Sequence, residues 1–169
     1  MQVELLVLWL IHVVGGIIWV GSTFFSFVWL LPSVVKAGPA GGQVMVNLQK
    51  RHFMTVLPIV AILTILSGVR LMQLVSSGFS AGYFRTSMGR GFAISALLSI
   101  VGFLIGLMVA RPATVRIARL QQTAASDQTS KELVQAEIKK LQSRAAMSGT
   151  IVMVLLVLAA AGMAVSRYM

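Results

Sequence analysis

Four apolar stretches constrain this chain more than any other feature. They run over about 4–31, 53–75, 91–110 and 147–165, and each can cross about 30 Å of hydrocarbon as a helix of roughly 20 residues. Within lipid the backbone must satisfy its own hydrogen bonds, so a span is a helix or part of a closed barrel. No stretch alternates apolar and polar residues as a barrel strand would, and the expected fold is all-α: an integral membrane four-helix bundle forming one transmembrane domain over residues 1–169. Composition agrees, with 57% hydrophobic and 11% charged residues against about 45–50% and 25% in soluble domains. The opening Met1-Gln2-Val3-Glu4 lacks a basic n-region, so the first span is expected to be retained rather than cleaved as a signal peptide.

The connections differ in character. KAGPAGGQ (36–43) and SSGFSAG (76–82) read as loops, whereas residues 111–146 are polar and helical in pattern. Ile117 and Leu120 carry the third helix past the membrane surface. Thr129-Ser130-Lys131-Glu132 reads as a capping box, with Val134, Ile138 and Leu141 recurring after it at helical spacing. The expectation is a cytoplasmic helical hairpin extending helices 3 and 4. The first span is expected to stop at Leu31-Pro32, and the third before Arg111-Pro112.

The net charge of +10 belongs to the same topology. Of 14 Lys and Arg residues, ten lie in the first and third connections, while Arg70, Arg85, Arg90 and Arg167 lie on the other side. That bias places the ten at the cytoplasm and both termini outside, as in a multi-pass protein of the cell inner membrane. It accounts for the charge without nucleic acid. There is no cysteine, which excludes disulfides, thiolate metal sites and iron–sulfur clusters. The four acids, Glu4, Asp127, Glu132 and Glu137, all lie near or beyond the membrane surfaces. Hydrolytic triads and intramembrane proton relays therefore lack their parts.

Within the first span, LIHVVGGIIWVGST (10–23) carries an ionisable group where one is costly. His12 shares a helical face with Gly15, Gly16 and Trp19. Two readings are open. The glycines can let a neighbouring helix approach while the histidine is hydrogen-bonded, or they can make a recess for a planar ligand such as haem, with His12 on the iron. Arg70 and Arg90 fall at the same level and are candidate partners for haem propionates, although Arg70 can equally pair with Glu4 or snorkel to the interface. Met72 and Met163 are possible thioether ligands, but packing is the simpler role for each. His52 lies near the opposite surface, roughly 25 Å away by helical rise, too far to share an iron with His12 in one chain.

HVVGGIIWVGSTFF resembles the first-helix signature of the copper-resistance protein D superfamily, in which a histidine is followed about seven residues later by Trp-x-Gly, here His12, Trp19 and Gly21. The second span, LPIVAILTILSGVRLM, and the closing MAVSRYM are also similar to that group. The resemblance extends distantly to bacterial membrane protoporphyrinogen oxidases, and it implies b-type haem with His12 as a ligand. Those oxidases also use a lysine in the third helix and an Asn-Glu pair near the fourth; this chain has neither, which speaks against that activity. Copper transport lacks the cysteines, histidine clusters or close Met pairs that Cu(I) favours. The favoured expectation is a haem b protein of electron transfer or haem-dependent redox chemistry. His12, Gly15, Gly16, Trp19, Arg70 and Arg90 would form its site, and a quinone or periplasmic protein its redox partner. A homodimer or larger complex would complete the assembly. The alternative is a cofactor-free accessory subunit whose small residues dock on other helices, with copper handling third.

Overall fold

The computed structural model describes residues 2–124 and 131–169, all of whose regular structure is helical. Four helices are long and apolar enough to cross a membrane: Gln2–Lys36, Phe53–Val75, Ser87–Ile117 and Val134–Ser166. The first consists of α1 (Gln2–Phe25), one π-helical turn at Ser26–Leu30 and α2 (Leu31–Lys36). α3 (Pro39–Lys50) is a separate short helix, and α4 (Phe53–Val75) is the second span. A single turn, α5 (Ala81–Arg85), precedes α6 (Ser87–Ile105). A second π-helical turn at Gly106–Ala110 leads into α7 (Arg111–Ala124), and α8 (Lys131–Ser166) closes the chain.

Two helix pairs make the bundle: α1 lies along α4, α6 lies along α8, and α1 also touches α8. The core between them is small, formed by Trp19, Ala61, Val152 and Leu156. Most large apolar side chains instead face outward, as expected where lipid is the solvent. The stripe of small residues on the third span is used for close packing. A Cβ on Gly91 would collide with Ser166, and one on Gly102 would meet Leu155 and Leu156 at 3.6 Å. From the α8 side, Gly162 faces Ser95 in the same way.

Two expectations need correction. The first span does not stop at Pro32; it continues to Lys36. A proline ring ordinarily clashes with the carbonyl four residues back and offers no N–H. The preceding turn is widened, the Leu31 N–H bonding to the Ser26 carbonyl, so the helix passes the proline. Arg111-Pro112 repeats the arrangement, with the Arg111 N–H on the Gly106 carbonyl. The Gly/Pro loop is the second correction, because Pro39 is the first residue of a 12-residue helix rather than part of a loop. Proline suits that position, where its missing N–H costs nothing. The chain reaches it through Gly38 at φ 58°, and Gly41 lies so close to the Val34 carbonyl that only glycine fits. Thr129 and Ser130, the cap of the expected capping box, lie outside the described residues, and α8 begins at Lys131. α7 packs on α8, and Arg116 pairs with Glu137 at 2.6 Å.

Candidate functional site

His12 is half-buried in the seam between α1 and α4. Its Nδ1 lies 2.8 Å from the main-chain carbonyl oxygen of Thr64. Only a protonated nitrogen can donate to a carbonyl, so that bond places the proton on Nδ1 and leaves the Nε2 lone pair of a neutral ring free. The imidazole can occupy this place because residue 68 is glycine. A Cβ there would fall 2.6 Å from the ring Cε1 and 2.9 Å from Nδ1. Ser67 Oγ also donates to the Thr64 carbonyl, at 3.0 Å. A main-chain oxygen of α4 thus anchors the intramembrane histidine.

The glycine pair has a divided role. Gly15 faces the Thr64 hydroxyl so closely that a Cβ could not fit, and that hydroxyl donates to Val60 O at 2.8 Å. The space beside Gly15 is therefore filled by Thr64. At Gly16 a Cβ would have its nearest neighbour, Thr64 Cγ2, at 3.9 Å, so clearance remains on that side. Trp19 is 5% exposed and meets Phe103 edge-on, with ring centroids 6.1 Å apart. It sits two helical turns from His12, against the core rather than against the imidazole.

The two arginines take different positions. Arg70 is held by Glu4, with Nη2 at 2.7 Å and Nε at 3.0 Å from Oε1, and its Nη1 donates to Gln73 Oε1 at 2.8 Å. Arg90 is exposed in the first turn of α6. His52 is exposed at the α3–α4 junction with φ 59°. It is 12 residues before Thr64, about 18 Å along α4 at 1.5 Å per residue. Among the described residues no three His, Cys, Asp or Glu side chains gather as a metal-binding group.

The structure also holds a cavity that sequence reading missed. It has a volume of about 190 Å³ and lies towards the end of the bundle that carries the π turns and α3. Trp19 and Ala61 are among its walls, as are residues of both π turns; His12 is not. The signal available in the sequence was Ser26, a lone hydroxyl among Phe24, Phe25 and Phe27. No family model, curated protein or solved structure matches the chain.

Proposed function

We propose that this is a multi-pass inner-membrane protein that binds b-type haem through His12 and serves one-electron transfer or haem-dependent redox chemistry. The observation that carries the reading is the His12–Thr64 bond. Histidines that ligate metals characteristically donate their second ring nitrogen to a carbonyl or carboxylate, which fixes the tautomer and the ring orientation. His12 has that arrangement, with Nε2 as the available ligand atom. The fit is confined to this ligand atom. Gly15 offers no recess because Thr64 occupies it, and Arg70 must leave Glu4 before it can pair with a propionate. A macrocycle on His12 would have to lie outside the packed part of the α1–α4 seam, with Gly16 the less crowded glycine, and a second copy of the chain or a neighbouring subunit would cover it.

Haem supplies a one-electron couple tuned by its axial ligand and surroundings. The chain's own part is to orient the imidazole and exclude water. The test is an oxidised-minus-reduced optical spectrum of the detergent-purified protein, with a pyridine haemochrome assay on the same sample. A b-type band near one haem per chain or per pair, lost in His12→Ala while the protein still folds, is the expected result. A colourless preparation from cells supplied with haem precursor would remove the reading.

A second reading is favoured by the exposure of α1, which the other spans leave largely uncovered. On that reading the chain is a cofactor-free accessory subunit docking through this span, and a colourless protein that co-purifies with membrane partners would support it. Orientation is tested separately. The chain has no cysteine, so Ser77→Cys and Lys140→Cys can each be labelled from one side of intact cells. The positive-inside bias has Ser77 reacting with an impermeant maleimide and Lys140 protected.

A further inference from the structure

We propose that the cavity between the two π turns is a binding site for the ring headgroup of an isoprenoid quinone. Its walls are mostly apolar, with Thr23, Ser26, Thr114 and Arg111 as the polar residues among them, and Ser26 stands apart from the two threonines. That side chain is nine-tenths buried, and its hydroxyl is the one buried side-chain polar atom among the described residues without a hydrogen-bond partner. Leaving such a group unpaired costs about 1–3 kcal/mol.

The other hydroxyls in the lining are already committed: Thr23 donates to Trp19 O and Thr114 to Ala110 O, each at 2.8 Å. An otherwise apolar molecule carrying an acceptor for the Ser26 hydroxyl suits these walls. An acyl chain brings no oxygen to that depth, whereas a quinone or quinol ring does. The size agrees, since a cavity of about 150 Å³ holds benzene and this one, at about 190 Å³, accommodates a substituted six-membered ring.

Arg111 also belongs to the lining and is exposed, which adds a charged donor to an otherwise mostly apolar wall. Both π turns, Ser26–Leu30 and Gly106–Ala110, flank this space, and such turns recur at functional sites. The proposal supplies the lipid-soluble partner of the redox reading, yet binding to this site does not require haem.

The test uses the full chain in detergent with Trp9→Phe and Trp29→Phe, which leaves Trp19 in the cavity wall as the fluorophore. Titration with decylubiquinone is expected to quench Trp19 saturably. Ser26→Ala should weaken that binding about three- to tenfold, the worth of one hydrogen bond. Gly106→Leu should abolish saturation by filling the space, since a Cβ there meets nothing within 4 Å; a melting temperature no lower than that of the parent shows that the fold survives. Quenching that never saturates, or that is identical in all three proteins, overturns the proposal. Competition by oleate with no effect of Ser26→Ala also overturns it, and makes the cavity an acyl-chain site. A colourless protein with saturable, Ser26-dependent quenching removes the haem reading and leaves this one standing.

Discussion

The two parts of the α1 span solve opposite packing problems. Around His12 the helix meets α4 closely, as Gly15 fits against Thr64 and the imidazole against Gly68. A dozen residues later the same helix opens into a π turn and borders a cavity. In the first region glycine removes side-chain bulk so that two backbones can approach; in the second, Gly106 borders open space. The contrast shows that a glycine in a membrane helix has no fixed meaning. What it faces decides whether it is a close-packing device or part of a binding wall.

The same substitution at these two glycines should therefore give opposite results. Gly15→Leu drives a side chain into Thr64 and is expected to cost about 3 kcal/mol or more, seen as loss of the folded form in detergent melts. At Gly106 an added Cβ meets no neighbour within 4 Å, and Gly106→Leu exchanges a poor helix former for a good one. It should gain up to about 1 kcal/mol, and equal damage at both sites would break the comparison.

His12→Ala should follow in size. It removes one interhelical hydrogen bond, worth about 1 kcal/mol, and opens a small void beside Gly68, so a loss of about 1–2 kcal/mol is expected in an SDS-unfolding titration. Ser26→Ala sharpens the contrast from the other side, because deleting an unpartnered hydroxyl should leave the ligand-free protein as stable or up to about 1 kcal/mol more stable, while His12→Ala weakens it. The smallest effect belongs to Glu4→Gln. Its pair with Arg70 is 2.7 Å long, but both side chains are more than 40% exposed, so about 0.2–1 kcal/mol is expected, declining with salt.

The four spans were legible in the sequence because bilayer thickness imposes length and apolarity on any helix that crosses it. α4 occupies residues 53–75, the second of the stretches read from the sequence. Proline was the misleading signal. Pro32 was read as an end because its ring clashes in a regular α-helix, but the widened turn before it removes the clash. Pro39 and the glycines around it were read as loop, although proline at a first helical position starts a helix as readily as it breaks one.

At the candidate site, the sequence indicated that His12 needed a reason to be in the membrane and that Arg70 could pair with Glu4, as it does. It did not indicate that Thr64 would be the histidine's partner. The accepting group is a main-chain carbonyl, and every residue has one, so side-chain chemistry could not single it out. Ser26 was legible as a residue but not as a problem. Its isolation emerges only once Thr23 and Thr114 are seen bonding within their own helices.

The two widened turns also bear on how the chain tolerates changes in length. A turn closed between residues i and i+5 contains one residue more than a regular α-helical turn. Deleting one residue from Ser26–Leu30 or Gly106–Ala110 can leave an α-turn in place, where a deletion elsewhere in a span would rotate every later side chain by about 100°. Each of these helices thus carries a built-in splice point next to its proline. Sequences of this kind that differ in length by one residue in the spans should carry the difference at these turns, with the cavity between them correspondingly narrowed.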